Sequence, residues 1–381
     1  MSKIDLGQIL EQNEMPSHSD LFCIAGDVSA TNILIELFAV KNKQSHTVLK
    51  VKYDGKKVTH FNNQVLNHLL RKAKVKATSI DRMVLSPAGP IVDGACKVTN
   101  ANYSINAREI IIPTALINDF AAIAYAVADV HNRNKPSDLE VLSLKHLNGQ
   151  EGQAKFQANI GILGAGTGLG TSRIHFRRNM GAQFNDGKGL YVPVSSEGGH
   201  RYLPIKPGDG LENEIAAYLA VKLGVDIPHL EAVLSGQGVV DVYEFSCGTR
   251  MRTPNYDGAT TVNDKVGVIA RNAKKGDPKA KLTMDFFWDI YSRAAHDVIV
   301  HENAWGGLYV AGGSIRKDIL DNGVVDENIR QRFMYSIDNS PSHKELVGDT
   351  PINIVRDKEI GLKGTKYFAS SDFFEHEKYA A

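Results

Sequence analysis

Between two apolar runs, 159–163 and 171–175, lies Gly164-Ala165-Gly166-Thr167-Gly168-Leu169-Gly170, with glycine at every second position. Each missing Cβ lets backbone amides approach a ligand that a side chain would hold off. The flanking runs read as strands, so the segment is the turn of a strand–turn–strand unit. Taken alone it fits a glycine-tolerant hairpin as well as a phosphate-binding turn, in which Thr167 would add a hydroxyl. Two other nucleotide motifs fail. The dinucleotide fingerprint G-x-G-x-x-G would need glycine where Leu169 stands. A Walker loop fails too: five residues separate Gly181 from Gly187, and Gly189 follows Lys188 where Ser or Thr is required.

The same theme opens the chain. The apolar run 21–25 ends at Gly26-Asp27, a second strand-like run follows at 33–40, and a third lies around 47–51. This is a β-meander with a tight first turn. Gly26-Asp27…Thr31 and Gly164…Thr167 occupy equivalent places, which points to an internal duplication. Two such units facing each other would carry a phosphate-binding turn on each wall of a cleft. Asp27 ends a buried strand, where an acid is costly unless something positive meets it. Hydrated Mg²⁺ is one candidate; an Asx turn closing the hairpin is the other.

Strands alternate with helical patterns further on, so the class is α/β. Arg82 to Leu85 is a strand, as is the run Leu308 to Ala311 entering Gly312-Gly313. Helical spacing relates Phe61, Val65, Leu69 and Leu70, then Leu211, Ile215 and Leu219, then the longer stripe from Phe286 to Ile299, all read as core. The polar stretch 130–157 is expected to be an exposed insertion.

Charges nearly cancel, with 44 Lys and Arg against 43 Asp and Glu. No long run of one sign favours nucleic acid or a membrane surface. Cys23, Cys96 and Cys247 lie far apart and read as free thiols in a reducing compartment. With no signal-like N-terminus and no long apolar stretch, the expected location is cytoplasmic.

Asn118-Asp119 stands between the apolar run 110–116 and an Ala-rich helix. At that junction Asp119 either caps the helix or serves as the carboxylate that accepts a hydroxyl proton during phosphoryl transfer. Asn118 offers donor and acceptor to a sugar hydroxyl. Glu197-Gly198-Gly199-His200 adds an acid and an imidazole, with the glycines allowing a sharp bend. Glu231, shortly before Ser235-Gly236, adds a further acid. Carboxylates accept two hydrogen bonds at once and suit vicinal hydroxyls. The spacing of this Glu/His/Glu set matches no metal motif.

Together, and in this order, these residues resemble the bacterial-type glucokinase family within the hexokinase and actin-like ATPase superfamily. The resemblance spans about 21–364. It is carried by Gly26-Asp27-Val28, Thr31-Asn32, Thr99-Asn100, Asn118-Asp119-Phe120, the 164–170 turn, Glu197-Gly198-Gly199-His200, Glu231 with Ser235-Gly236, and Ala311-Gly312-Gly313. It implies a two-domain actin-like (ribonuclease H-like) fold with an active-site cleft between the domains. The expected division is an N-terminal extension 1–19, a small domain 20–118 rejoined by about 361–381, and a large domain 119–360. The implied activity is ATP-dependent phosphorylation of glucose with Mg²⁺, by a homodimer. Glucose contacts fall on Asn118, Asp119, Glu197, His200 and Glu231, with Asp119 as base. ATP contacts fall on Asp27, Ser29, Thr31, Asn32, Gly166, Thr167, Gly168, Gly312 and Gly313, and Asp27 holds the metal through water. The sequence departs from the family in three places: Ser29-Ala30 replaces two glycines, Leu34 stands at a usual arginine, and Tyr103 at a usual tryptophan. These departures leave open a sugar-binding regulator with weak catalysis, or a kinase for another hexose or phosphoryl donor.

Overall fold

A strand covered on both faces has no room for alternating polar residues. Residues 23–26, Ile160–Ala165, Leu308–Ala311 and Ile352–Val355 are buried throughout, and each lies inside a sheet. The computed structural model describes residues 7–16, 18–178, 189–248, 254, 256–312, 320–321 and 324–377. The chain divides into two compact units, Met1–Asp138 with Lys358–Ala381, and Leu139–Asp357.

In the first unit the strands are β1 (Gly7–Gln12), β2 (Leu21–Val28), β3 (Asn32–Lys41), β4 (Gln44–Asp54), β5 (Arg82–Pro87), β6 (Ile91–Val92), β7 (Ala95–Lys97), β8 (Ser104–Asn106) and β9 (Thr114–Leu116). The main sheet runs β1-β4-β3-β2-β5-β9, and β6, β7 and β8 make a small sheet of their own. The β2–β3–β4 meander is antiparallel; β5 and β9 join it in parallel. On one face Ile33, Ile35, Val51 and Tyr53 cluster with Phe61, Val65 and Leu69, the last on helix α1 (Asn67–Ala73). The C-terminal helix Ile360–Ser370 covers the other face. It is reached by the Cys23 thiol, which donates to the Ala369 carbonyl, and by Glu36, which pairs with Lys366.

Helix α2 (Asp119–Asn132) packs against that C-terminal helix, with Tyr125 edge-on to Phe368 at 4.8 Å between ring centroids. The first unit therefore runs to Asp138 rather than stopping at 118, because α2 buries its apolar face there. The expected extension 1–19 also differs: Gly7–Gln12 pairs with β4 as an edge strand.

The second unit contains β10 (Val141–Leu144), β11 (Ile160–Ala165), β12 (Leu169–Arg177), β13 (Leu190–Ser196), β14 (Leu308–Ala311), the short pair β15 (Leu320–Asp321) and β16 (Val324–Val325), and β17 (Ile352–Val355). Its sheet runs β10-β17-β14-β11-β12-β13. The order β13-β12-β11-β14-β17 repeats β4-β3-β2-β5-β9, strand for strand and with the same parallel and antiparallel pairings. The duplication inferred from two turns thus extends to five strands in each sheet.

Helices α3 (Gly210–Leu223), α4 (Gly236–Ser246), α5 (Val262–Lys274) and α6 (Pro278–Glu302) follow. In α6, Asp277 caps the start by accepting from the Ala280 amide at 2.7 Å, Pro278 takes the first turn, and Asn303 ends the helix with φ of 51°. The stripe of Phe286, Phe287, Ile290, Tyr291, Ala294, Val298 and Ile299 is buried as expected. On α3, Ile215 and Leu219 are buried but Leu211 is exposed, because it lies in the first turn, short of the core.

The stretch 130–157 is not simply an exposed insertion. It supplies edge strand β10, paired with β17. It also carries buried His146, whose Nδ1 is 2.5 Å from Asp338 Oδ1 and whose Nε2 is 3.0 Å from the Thr350 carbonyl. The strand is only four residues long, Val141-Leu142-Ser143-Leu144, and polar residues on both sides of it hid it.

Gly364 is where the C-terminal helix meets α2 backbone to backbone: an added Cβ would lie 1.6 Å from the Ala122 carbonyl oxygen. Gly364→Ala gains about 1 kcal/mol of helix propensity but forces the helices apart. A net loss of about 2 kcal/mol or more is expected, read as a lowered urea midpoint.

Candidate active site

Three neighbouring parallel strands, β2, β5 and β9, end on the same edge of the first sheet, with Asp27 in register with Ser86 and Leu85 with Leu116. Ligands of open α/β sheets gather at such carboxyl ends. Asp27 lies there, half-buried, and Asn118 and Asp119 follow β9 directly. Asn118, not Asp119, caps α2: its Oδ1 accepts from the Phe120 amide at 2.8 Å and the Ala121 amide at 3.3 Å. The cap leaves the Asn118 side-chain NH₂ as the group with hydrogens to donate, and it holds Asp119 in the first turn. Asp119 Oδ1 also accepts from the Phe120 amide, at 3.0 Å.

Burial, and next the charge of Asp119, push the Asp27 carboxyl up to about 6. The C-terminal helix comes close enough for a Cβ on Gly361 to fall 2.8 Å from Asp27 Oδ2. Two carboxylates whose fields meet in a confined place want a cation, which suits a hydrated Mg²⁺. Among the described residues no group of three or more His, Cys, Asp or Glu could hold a metal ion.

The β2–β3 turn is closed by its own groups. Ser29 donates from its backbone amide and its hydroxyl to the Asn32 carbonyl, each at 2.9 Å, and its Oγ accepts from the Asn32 amide at 3.2 Å. The Ser29 hydroxyl is thus turned into the loop rather than outward. Tyr103 donates to the Ser29 carbonyl at 3.2 Å, so two of the departures from the family touch each other. Thr31 and Asn32 are exposed.

In the second unit Thr167 is exposed at the tip of the β11–β12 hairpin, which Gly166 closes by donating to the Gly168 carbonyl at 2.8 Å. Glu231 Oε2 accepts from the Leu169 amide at 2.8 Å, and a Cβ on Gly168 would lie 2.5 Å from that oxygen. The expected sugar acid is therefore also a brace of the expected phosphate turn. Gly236, at the start of α4, donates to the Gly166 carbonyl at 3.0 Å. Gly312 has φ of 111° and would put a Cβ 2.2 Å from the Ala165 carbonyl. Gly313 lies outside the described residues.

Glu197 precedes and His200 ends a 3₁₀ turn, Gly198–His200, their side chains 84% and 54% exposed and 4.0 Å apart. The two glycines lie in a tight turn, in which the His200 amide donates to the Glu197 carbonyl at 3.0 Å, and neither φ is left-handed. They make room: a Cβ on Gly199 would lie 2.1 Å from the Leu169 carbonyl, and one on Gly198 would lie 2.7 Å from Thr171 Oγ1. The Leu230 amide donates to the Arg201 carbonyl at 2.8 Å, tying the His200 turn to the Glu231 turn. Sequence reasoning missed His229. Its ring stands edge-on to His200, 5.1 Å between centroids. Burial, then His200, hold it below the ordinary histidine value, so it is neutral at pH 7. Its place beside Glu231 was the one available signal.

The family model described as Glucokinase matches residues 24–372. The chain belongs to the glucokinase family. The glucokinase of Nostoc sp. (strain PCC 7120 / SAG 25.82 / UTEX 2576) is 27% identical over 369 residues, covering 91% of this chain and 98% of its own length. Glucokinase from Balamuthia mandrillaris, in a crystal structure with glucose, has a TM-score of 0.69 at 18% identity and covers 92% of this chain and 94% of its own. A ROK family glucokinase from Streptomyces griseus, in complex with glucose and AMPPNP, has a TM-score of 0.51 at 15% identity and covers 91% and 99%. At these identities the structural likeness shows the fold alone, the α/β actin-like ATPase architecture. Among the described residues no helix is long and apolar enough to cross a membrane.

In this glucokinase-family chain the cost of Asp27 is measurable. Its carboxyl ionises near 3.8 in an unfolded chain and near 6 when folded. Between those values the folded state holds the proton more tightly, so stability falls as pH rises from about 4 to about 6 and stays lowered above. Asp27→Asn should therefore stabilise the ligand-free protein at pH 7, on the order of 2 kcal/mol. Below about pH 4 it should change little. Urea unfolding at the two pH values reads the difference.

Proposed function

We propose that this protein transfers the γ-phosphoryl group of ATP to the 6-hydroxyl of glucose, giving glucose 6-phosphate and ADP, the entry step of glycolysis. The observation that carries the reading is Asp27 and Asp119 at the ends of parallel strands, each within the other's field. Phosphoryl transfer needs a metal-bearing carboxylate and a base in one neighbourhood.

In this reading Asp119 accepts the proton of the sugar 6-hydroxyl as that oxygen bonds to the γ-phosphorus and the bond to the ADP oxygen breaks. Asn118 donates to a sugar hydroxyl from its side-chain NH₂, and its capping bonds keep that group in place. Glu197, His200 and Glu231 hold further hydroxyls, with His229 supporting the His200 ring. Residues 29–32 and 166–168 receive phosphates, and Gly312 and Gly313 border the adenine. Asp27 holds Mg²⁺ through water; when bound, the ion neutralises phosphate charge. The glucose and nucleotide complexes of the relatives support the choice of substrates. The family resemblance further implies a cytosolic homodimer.

Asp119→Asn tests the base. In a coupled assay with glucose, ATP and Mg²⁺, kcat should fall by roughly 10²-fold or more. Glucose binding by calorimetry should stay within a few-fold of wild type. Equal turnover in both proteins removes Asp119 as base. Glucose binding without wild-type turnover favours the regulator.

A further inference from the structure

The face of the first sheet that carries Asp27 has a cation with no assigned task. Asp27 on β2 is in register with Leu34 on β3, and Leu34 with Lys52 on β4. In-register neighbours share a face. The next row on that face, Glu36 and Lys50, is tied down: Glu36 by Lys366 and Lys50 by Glu359, the residue that begins the C-terminal helix. Lys52 is exposed and makes no ion pair among the described residues. Two strand spacings, about 10 Å, separate its backbone from that of Asp27. A cavity of about 520 Å³ is lined by Lys52 and Lys56 together with Thr31 and Asn32 of the β2–β3 turn. The acid on its wall, Asp54, is already engaged: it lies 3.4 Å from Lys57 Nζ and accepts from the Lys56 amide at 3.1 Å.

We propose that Lys52, helped by Lys56, binds the phosphate tail of the phosphoryl donor. The site is a basic one beside the turn, on the strand next to the one that carries Leu34. The inference rests on the kinase reading for the donor's identity, but its chemistry is that of any polyphosphate anion. A lysine supplies a compact point charge on a long stem, suited to a phosphate that needs no bidentate partner.

The test compares wild type, Lys52→Gln, Lys57→Gln and Lys52→Gln/Leu34→Arg. Tripolyphosphate binding is measured by calorimetry, and the KM for ATP and for glucose by coupled assay. Lys52→Gln should weaken tripolyphosphate binding and raise the KM for ATP, each by about tenfold, with the KM for glucose unchanged. Lys57→Gln should stay within about twofold of wild type on both measures. Leu34→Arg in the Lys52→Gln background should recover most of the loss, because it returns a cation to the same face one strand nearer Asp27. A purely structural role for Lys52 would not be rescued in that way. Tripolyphosphate binding by Lys52→Gln equal to wild type overturns the inference, and if wild type phosphorylates glucose the kinase reading survives. Lys52-dependent tripolyphosphate binding without glucose turnover upholds the inference and removes the kinase reading.

Discussion

The close approach of the C-terminal helix to α2 governs the first unit. Gly364 lies against the Ala122 carbonyl with no room for a methyl group, and three residues earlier Gly361 faces the Asp27 carboxylate. One helix, from the far end of the chain, thus covers the strand that presents Asp27 and supports the helix that begins at Asp119. Its tether on the other side is electrostatic, with Glu36 and Lys50 on the sheet meeting Lys366 and Glu359. Asp27 feels both burial and a neighbouring carboxylate because this contact is tight, and the resulting cost is of the kind stored at functional sites.

The second unit reaches its own close approaches by the same means. Gly199 rests on the Leu169 carbonyl, Gly168 on Glu231, and Gly312 on the Ala165 carbonyl. Each is a place where a turn must touch a backbone or a carboxylate directly. The result is a continuous chain of contacts: the β11–β12 hairpin to Glu231, Glu231 through Leu230 to Arg201, and from there to His200. Groups expected to meet a sugar and groups expected to meet phosphate are joined by hydrogen bonds of ordinary length, so a change at one bears on the other.

The altered first turn has its own compensations. Serine in place of glycine restricts the backbone, and its hydroxyl and amide bonds to Asn32 close the turn from within. Tyr103 holds the Ser29 carbonyl from outside. Leu34, where the family resemblance implies an arginine, is in register with Lys52 on the neighbouring strand, which makes no ion pair among the described residues.

The sequence by itself determined the α/β class, the two strand–turn–strand units, the helix after Asn118-Asp119 and the order of motifs that marks the family. Those features are local: apolar periodicity, glycine spacing and a capping residue act over a few neighbouring positions. The tertiary structure decided the rest. It assigned α2 to the first unit, added Gly7–Gln12 and Val141–Leu144 as edge strands, and set Glu231 against the Leu169 amide and His229 against His200. It also showed that the glycines of Glu197-Gly198-Gly199-His200, besides lying in a tight turn, leave room for the Leu169 carbonyl and the Thr171 hydroxyl. The physical reason is register. Which side chains share a face, and which backbones touch, depends on how distant strands align, and residues such as Lys52 and Leu34 carry no mark of that alignment in their own neighbourhoods.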